Sequence, residues 1–206
     1  MKGFPKNLID LTLIQEINQL WHPVYPYLAE EISQFYGRKD GNLLEMGPFC
    51  GVIFYLLKRK VGNAFTIATF PSKMGQFFIE EAQRQKALHE IRIVETDPSL
   101  KGIEGGSMDL VIFRGAFFFP SLFEVNYSAI HQVLKKGGMA FIGGGFGKLT
   151  PEEVRRKIGD RSRELNLQIG KVVVNQEKIR EEVEKSCFKG NVEFISEGGL
   201  WVVLKT

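Results

Sequence analysis

The sequence contains few of the residues that would define a disulfide scaffold or a metal site. Cysteine occurs only twice in 206 residues, as Cys50 and Cys187, which gives neither a disulfide framework nor the paired spacing of a zinc site. The three histidines, at positions 22, 89 and 131, are scattered along the chain without metal-ligand spacing. We therefore expect neither a disulfide-stabilised fold nor a metal centre.

The sequence also lacks a strong charge of one sign and any long apolar run. Lysine and arginine number 27 against 24 aspartates and glutamates, a balance too mild to predict nucleic-acid binding. No apolar run approaches the roughly 20 residues of a membrane-spanning helix, and the first residues contain no uninterrupted apolar segment of the secretory type. The sequence therefore predicts a cytoplasmic protein that binds neither nucleic acid nor membrane.

What is present is an alternation of strand and helix patterns over the length of one domain. The predicted strands are NLLEM (42–46), AFTIATF (64–70), IRIVE (91–95), MDLVIF (108–113), MAFIGGG (139–145) and two β-rich runs joined at Gly198-Gly199. Apolar strands separated by helices predict a parallel sheet covered on both faces, because each crossover returns the chain to the same edge. The final pair predicts an antiparallel hairpin.

The predicted helices separate these strands. They cover residues 8–36 with an interruption near Pro23 and Pro26, then 52–63, 72–88, 123–138, a segment from about 151 to Leu165, and 176–185. Thr150, Pro151 and Glu153 have the pattern of a capping box that starts the fifth of these helices. Asn175 is expected to cap the last one.

Two glycines, Gly47 and Gly51, bound a short loop between the first strand and the next helix. The segment does not match a dinucleotide fingerprint, because Phe49 stands where the second glycine is required. The later segment GGGFGK (143–148) does not match a phosphate-binding P-loop, because its spacing is wrong. The loop is either a tight turn or part of a ligand site, since ligands of open α/β sheets bind beyond the carboxyl ends of the strands.

Four blocks in order resemble the class I S-adenosylmethionine-dependent methyltransferases. They are WHPVYPYLAE (21–30), LLEMGPFCG (43–51), IVETDPSLKGIEGGSMDLVIFRGAFFF (93–119) and VLKKGGMAFIGGGFG (133–147). The second block resembles the family's glycine motif, and the fourth resembles its turn before the fifth strand. The matching blocks cover most of residues 42–147.

This resemblance implies a fold and a division of the chain. The expected fold is α/β, a three-layer sandwich with a mostly parallel seven-stranded sheet and a C-terminal antiparallel hairpin, the Rossmann-like methyltransferase fold. A single methyltransferase-like domain is expected over 1–206. It would comprise a helical N-terminal lid segment (1–40), a cofactor-binding core (41–147) and C-terminal helices with the hairpin (148–206).

The resemblance also implies an activity and a cofactor. The expected activity is in-line transfer of a methyl group from S-adenosylmethionine to an unidentified, small-molecule acceptor, with S-adenosylhomocysteine as product. The implied cofactor-binding residues are Tyr25, Glu45, Met46, Gly47, Pro48, Gly51, Thr69, Phe70, Met74, Asp97, Pro98, Arg114 and Gly115.

Several of these residues have an implied role and a plainer structural alternative. Glu45 anchors the loop and bonds the cofactor's ammonium, or is a surface acid. Asp97 bonds the adenine amino group, or only starts a turn. Arg114 pairs with the cofactor's carboxylate or a substrate anion, or forms a structural ion pair. Tyr25 lies in the lid and touches the sulfonium end or the substrate.

Two departures from the family pattern leave alternatives open. Phe49 replaces the glycine that lets the family's backbone approach the cofactor, and Thr69 replaces the acid that holds the ribose. A hydroxyl binds a ribose more weakly than a carboxylate does, because charge-assisted hydrogen bonds are about twice as strong. The alternative is a degenerate methyltransferase-fold protein that binds a nucleoside ligand or a protein partner without catalysis. An unrelated nucleotide-binding enzyme is a third hypothesis, which the two failed phosphate motifs oppose.

The sequence identifies no catalytic residue and no general base. Cys50 is expected to be a small buried residue, since no histidine is placed to activate its thiol. The aromatic segment AFFFPSLF (116–123) is interpreted either as core packing or as an apolar wall for the substrate.

Overall fold

A seven-stranded sheet lies at the centre of the computed structural model, which describes residues 10–188 and 192–206. The strands are β1 (Asn42–Met46), β2 (Ala64–Thr69), β3 (Ile91–Glu95), β4 (Met108–Arg114), β5 (Leu134–Gly145), β6 (Val192–Ile195) and β7 (Gly199–Lys205). The helices are α1 (Leu11–Leu20), α2 (Tyr25–Tyr36), α3 (Val52–Lys58), α4 (Met74–Arg84), α5 (Tyr127–Val133), α6 (Glu152–Ile169) and α7 (Gln176–Glu184).

The strand order in the sheet is β3-β2-β1-β4-β5-β7-β6. Strands β1 to β5 pair in parallel, whereas β7 is antiparallel to both β5 and β6. This confirms the predicted mostly parallel sheet with a C-terminal antiparallel hairpin. The order turns back at β1, which lies between β2 and β4, and this switch point is where open α/β sheets bind ligands.

Burial of the central strands follows from their position in the sheet. Every residue of β4 is buried, and Leu43 and Leu44 of β1 are fully inaccessible to solvent. Strands covered on both faces have no polar side, which explains why their sequences are continuous apolar runs and do not alternate. The strand segments were accordingly the most readily predicted parts of the chain.

The N-terminal helices pack across the carboxyl end of the sheet. Asp10 caps α1 by accepting a hydrogen bond from the Thr12 amide at 2.9 Å. The side-chain amide of Asn18 donates to the carbonyl of Pro48 at 2.8 Å, and the Trp21 indole donates to the Ser162 hydroxyl at 2.9 Å. These two bonds connect α1 to the loop after β1 and to α6.

The interruption between α1 and α2 lies at residues 21–24, just before the second proline of the predicted break. Pro26 is in the first turn of α2, where its missing amide has no helical partner to lose. None of the described helices is both long enough and apolar enough to cross a membrane.

Three predicted helices are too long. The helix predicted over 72–88 forms only over Met74–Arg84, since Lys73 and Lys86 take left-handed conformations with φ of 77° and 58°. The predicted helix 123–138 forms only over Tyr127–Val133, capped by Asn126, because Leu134 adopts extended backbone and pairs with Met108 of β4. Strand β5 therefore starts at Leu134, ahead of the predicted start at Met139. Helix α3 ends at Lys58, since Lys60 takes a left-handed conformation with φ of 56°.

The predicted capping box before α6 is wrong. Pro151 occupies the cap position, and the Thr150 hydroxyl donates to the Phe146 carbonyl, so its side chain does not cap the helix. The helix also continues to Ile169, four residues beyond the predicted end. The predicted cap of the next helix is confirmed, because the Asn175 side chain accepts from the Glu177 amide at 2.9 Å.

Candidate functional site

The loop that follows β1, residues 47–51, is held in place by Glu45, and we call it the glycine loop. The Glu45 carboxylate is fully buried and accepts hydrogen bonds from the amides of Gly51 at 2.9 Å, Val52 at 3.3 Å and Ile53 at 2.9 Å. Burial raises the pKa of Glu45, while these amides and the nearby Arg114 oppose the rise. Glu45 therefore fastens the loop to the first turn of α3, where the helix dipole also favours a negative charge.

The two glycines of this loop contact aromatic rings. Gly47 has φ of +99°, and a Cβ there would lie 2.8 Å from the Phe113 ring. A Cβ on Gly51 would overlap the ring of Tyr25. Both positions require glycine because the chain's own side chains approach so closely.

Arg114, at the end of β4, is a buried cation that the glycine loop and α2 hold together. It is 4% exposed; its Nε donates to the Phe49 carbonyl at 2.9 Å and its Nη2 donates to the Tyr25 hydroxyl at 2.7 Å. The guanidinium carbon lies 4.8 Å from the ring centroids of both Trp21 and Tyr25. Within the described part of the chain, no carboxylate lies within 4 Å of this guanidinium, so its charge is balanced by carbonyl, hydroxyl and ring contacts.

Tyr25 connects this arginine to the N-terminal helix. Its hydroxyl lies 3.2 Å from both the main-chain and the side-chain oxygen of Asn18. Burial raises the pKa of Tyr25, and the positive charge of Arg114 opposes that rise. The hydroxyl is therefore a neutral hydrogen-bonding group at neutral pH.

The predicted ribose side of the site, at the end of β2, is closed. Thr69, Phe70 and Met74 are at most 4% exposed, and Phe70 packs edge-on against Phe113 and Phe123. The Thr69 hydroxyl is buried and has no hydrogen-bond partner among the described residues. A buried polar group without a partner is uncommon in folded proteins, and a bound ligand would satisfy it.

Asp97 and Pro98 lie apart from this group. Asp97 is exposed, and one of its oxygens accepts from the amide and the hydroxyl of Ser99, which lowers the pKa of Asp97. This is the turn geometry of the structural alternative, and it leaves the second carboxylate oxygen for another partner. Pro98 borders a separate cavity of about 1310 Å³.

The remaining loop residues are buried and make local contacts. Met46 is fully inaccessible, and Pro48 accepts the hydrogen bond from Asn18 through its carbonyl. The Cys50 thiol donates to the Gly47 carbonyl at 3.3 Å, and burial raises its pKa well above the ordinary value. Such a thiol is a packing group, in agreement with the expectation from the sequence.

A second region of this edge is open, and we call it the cationic cavity. It has a volume of about 580 Å³ and lies between the carboxyl ends of β4 and β5, the start of β7, and helices α1 and α6. Its lining residues are Ile17, Trp21, Phe49, Arg114, Gly115, Phe118, Phe119, Gly144, Gly145, Phe146, Gly159, Ser162, Arg163, Asn166, Leu167, Lys171, Val172, Val173, Val174, Gly198, Gly199 and Leu200.

The walls of this cavity are aromatic and its charges are all positive. Trp21 stacks on Phe146 with ring centroids 4.8 Å apart and planes 7° apart. The described lining residues include two arginines and one lysine, and among them there is no aspartate, glutamate or histidine. The Lys171 ammonium lies 5.0 Å from the centroid of the Phe118 ring.

The structure therefore gathers only part of the predicted set around open space. Arg114 and Gly115 line the cationic cavity, and Tyr25 contacts Arg114 directly. The aromatic segment after β4 (116–123) contributes both to core packing and to the cavity wall. Phe118 and Phe119 line the cavity, while Phe123 is buried in the core.

Sequence reasoning missed the contributions from distant segments, namely Trp21, Phe146, Ser162, Asn166, Lys171 and Leu200. Trp21 and Phe146 lie within two of the blocks that resemble the family but were given no role, and no local motif marks the other four. The only available signal was topological, because β5 and the reversed β7 had to end at the same edge as β4.

The polar groups at this edge suit the parts of S-adenosylmethionine, the cofactor that the resemblance implies. An unpartnered buried hydroxyl at Thr69 suits a ribose, and the Arg114 cation, which has no carboxylate partner, suits an α-carboxylate. The chain's donors thus fit this group, although the rings of Tyr25 and Phe49 occupy the space in front of the glycine loop.

Comparison with known proteins gives the same fold. No family model matches the sequence. The chain is 30% identical over 103 residues to the highly reducing polyketide synthase verA of Penicillium polonicum, and the match covers 47% of the chain but 4% of that synthase.

Two solved structures extend the comparison to most of the chain. A candidate S-adenosyl-L-methionine-dependent methyltransferase from Methanococcus maripaludis superposes with a TM-score of 0.77 at 24% identity, covering 99% of this chain and 96% of that one. The geranyl diphosphate C-methyltransferase of Streptomyces coelicolor A3(2), crystallised with S-adenosyl-L-homocysteine, gives a TM-score of 0.56 at 12% identity, covering 86% and 73%. At these identities the likeness establishes the fold.

Proposed function

We propose that this chain, which has the fold of the S-adenosylmethionine-dependent methyltransferases, is itself such an enzyme and acts on a small-molecule acceptor. The observation that carries the proposal is the arrangement at the carboxyl edge of the sheet. The anchored glycine loop and the buried Arg114 cation lie beside a cavity of about 580 Å³. The unpartnered Thr69 hydroxyl lies at the same edge of the sheet, at the end of β2. That volume is in the range of small-molecule sites.

In this proposal the cofactor lies along the ends of β1 and β2. The glycine loop, with Met46, Gly47, Pro48 and Gly51, holds the methionine part, and Glu45 keeps the loop in place. Thr69 bonds the ribose.

Phe70 and Met74 flank the adenosine. Asp97 bonds the adenine amino group through its second carboxylate oxygen, beside Pro98. These residues are the ones that the sequence motifs single out. Phe70 and Met74 are buried at the end of β2 and the start of α4, whereas Asp97 is exposed and uses one carboxylate oxygen for Ser99.

Arg114 is assigned to the cofactor's carboxylate, beside Gly115. The side chain has five N–H donors, of which two are used by the Phe49 carbonyl and the Tyr25 hydroxyl. Binding at this position requires the rings of Tyr25 and Phe49 to turn away from the loop. The described part of the predicted lid segment, residues 10–40, then covers the core (41–147), and the described residues of 148–206 complete the acceptor side. Residues 1–9 of the predicted lid lie outside the described residues.

S-adenosylmethionine supplies a methyl carbon that is activated by the adjoining positive sulfur. The chain's contribution is to hold the acceptor in line with that carbon and to exclude water, which the aromatic walls of the cavity favour. The described lining residues include no aspartate, glutamate or histidine that could remove a proton. The acceptor's reacting atom should therefore be unprotonated when bound, because no general base is needed in that case.

The experiment that tests the proposal has a binding part and a transfer part. S-adenosylhomocysteine at saturation should raise the midpoint of thermal unfolding, because a ligand that binds only the native state stabilises it. NAD and ATP at the same concentration serve as controls and should leave the midpoint unchanged. No shift with S-adenosylhomocysteine would overturn the proposal.

The transfer part uses S-adenosylmethionine with a labelled methyl group and a panel of small acceptors. Label should pass to at least one acceptor, and Gly51→Ala, which blocks the loop, should abolish the transfer. Binding of cofactor with no transfer to any acceptor would favour the non-catalytic alternative.

A further inference from the structure

The cationic cavity has features that bear on the class of acceptor. Resting on the proposed function, we propose that the acceptor is an aromatic carboxylic acid in its anionic form, whose ring lies between the aromatic walls of the cavity and whose carboxylate binds Lys171. The shape of the cavity, its charge and the placement of Lys171 support this independently of one another.

The shape of the cavity favours a flat apolar body. The nearly parallel stack of Trp21 and Phe146 forms one part of the wall. Phe49 and Phe119, with ring centroids 4.8 Å apart, form another part. Aromatic rings bind well against such faces, because offset and edge-on contacts add to the area they bury.

The charge of the cavity favours an anion. Arg114, Arg163 and Lys171 line it, and the described lining contains no acidic side chain. Arg163 has an acid within reach, since its Nη1 lies 3.6 Å from Asp160, and both side chains are exposed. Arg114 is hydrogen-bonded to the glycine loop and Tyr25 and is assigned to the cofactor.

Of the three cations that line the cavity, Lys171 therefore remains available to bind the acceptor's carboxylate. Within the described residues, no carboxylate lies within 4 Å of its ammonium, and its recorded contact is with the Phe118 ring. Its side chain is exposed at the rim of the cavity, where desolvation by the neighbouring residues lowers the pKa of Lys171. An ammonium that has lost part of its hydration and has no counter-ion gains more from a bound anion than a fully hydrated one does.

The backbone fixes the position of Lys171 at the rim. Its neighbour Val172 donates an amide hydrogen bond to the Phe118 carbonyl at 2.9 Å. The Ser121 hydroxyl donates to the Ile169 carbonyl at 3.1 Å at the end of α6. The segment that carries the lysine is therefore tied on both sides to the aromatic segment that forms the wall, which places the charge at the end of the apolar surface.

The test uses 1-naphthoate and its neutral isostere 1-naphthamide, measured by titration calorimetry on the full chain without cofactor. Naphthoate should bind at least tenfold more tightly than naphthamide. Lys171→Met should remove this preference by weakening naphthoate at least tenfold while leaving naphthamide unchanged, and Lys171→Arg should restore it.

Lys58→Met is the matched control. Lys58 also places its ammonium over a ring, 4.8 Å from the centroid of Tyr55, but it lies outside the cationic cavity. This variant removes the same charge and the same kind of ring contact and should change neither affinity. Equal affinity for the acid and the amide, or an unchanged preference in Lys171→Met, would overturn the inference.

The two proposals fail separately because naphthoate binding is measured without cofactor. If naphthoate behaves as expected while S-adenosylhomocysteine does not bind, the ligand class of the cavity stands and the methyltransferase proposal falls. If S-adenosylhomocysteine binds while naphthoate shows no preference over the amide, the acceptor class is wrong and the methyltransferase proposal stands.

Discussion

The two halves of the sheet's carboxyl edge differ in how they use their side chains. On the side of β1 and β2, Glu45 and the glycine loop are bonded to one another, Thr69 is fully buried, and Phe70 packs against the ring of Phe113. On the side of β4, β5 and β7, aromatic and cationic side chains surround open space. The glycine loop thus lies in the closed half, and the room for a small molecule lies in the other.

The two halves also differ in the sequence separation of the residues that build them. The Glu45 carboxylate bonds amides within eight positions of itself, so one short segment specifies this anchor of the glycine loop. Asn18 and Arg114 add bonds to the loop from distant segments. The cavity is assembled from α1, α6, three strands and the loops between them. A ligand that joins the two halves needs Tyr25 and Phe49 to move, because these two rings lie at the boundary.

The largest effect on stability is expected from Glu45→Ala, which removes the anchor of the glycine loop in the closed half. The substitution leaves three buried amides of the loop and of α3 without their charged acceptor. We expect a loss of about 3 kcal/mol in the free energy of unfolding, measured by urea denaturation.

Glu45→Gln is the control for Glu45→Ala, because it keeps the volume and one acceptor oxygen and should lose about half as much. A loss below about 0.5 kcal/mol in Glu45→Ala would show that the carboxylate does not fasten the loop.

Gly51→Ala tests the close approach of Tyr25 to the glycine loop. The added methyl group would overlap the Tyr25 ring, and overpacking a buried contact costs about 1 to 3 kcal/mol. Gly159→Ala is the control, since a Cβ there meets nothing within 4 Å and alanine favours a helix. Equal urea midpoints for the two variants would mean that the ring and the loop are not in contact.

Tyr25→Phe separates stability from cofactor affinity. Loss of the hydroxyl removes the acceptor for the Arg114 Nη2 hydrogen bond at 2.7 Å, which should cost about 1 kcal/mol of stability. The same loss makes it easier for the ring to turn away, so S-adenosylhomocysteine should bind up to roughly fivefold more tightly. The affinity measured by calorimetry should therefore rise while the urea midpoint falls.

The control for Tyr25→Phe is Tyr27→Phe on the same helix, where the side chain is half-buried. It should leave both quantities unchanged. Weaker binding in Tyr25→Phe would indicate that its hydroxyl itself contacts the ligand.

The smallest effect is expected from Thr69→Val, which tests whether the Thr69 hydroxyl bonds the ribose. The variant removes a buried hydroxyl that has no partner, so stability without ligand should be unchanged or should rise by up to about 1 kcal/mol. Affinity for S-adenosylhomocysteine should fall roughly fivefold if that hydroxyl bonds the ribose. Thr66→Val, three residues earlier on β2, should leave the affinity unchanged, and an unchanged affinity in Thr69→Val would remove Thr69 from the site.

The sequence predicted those parts of the fold that depend on local pattern. The bounds of β1 at Asn42–Met46 agree with the prediction because Gly41 and Gly47 bound a short, mainly apolar run. The helix predicted up to residue 138 was wrong because Leu134 continues a helical period, while its pairing with Met108 depends on a strand that is distant in sequence.

In the candidate site too, features built from one segment were predictable and features built from distant segments were not. The glycine loop was predictable because the loop and Glu45 lie in one segment. Trp21 and Lys171 could not be predicted as neighbours of one cavity, because the chain between them passes through five of the seven strands. Phe49 shows the limit of motif matching, since its ring packs on Phe119 and so forms part of the cavity wall.

The central claim is that the cofactor binds in the closed half of the edge and reaches Arg114 at the boundary, while the acceptor binds in the open half. A crystal structure of the chain soaked with S-adenosylhomocysteine tests this most directly. The account predicts the ribose within hydrogen-bonding distance of the Thr69 hydroxyl, the α-carboxylate at Arg114, and the Tyr25 ring turned away from Gly51. Density for the ligand within the aromatic walls of the cationic cavity, with Tyr25 still packed on Gly51, would contradict it.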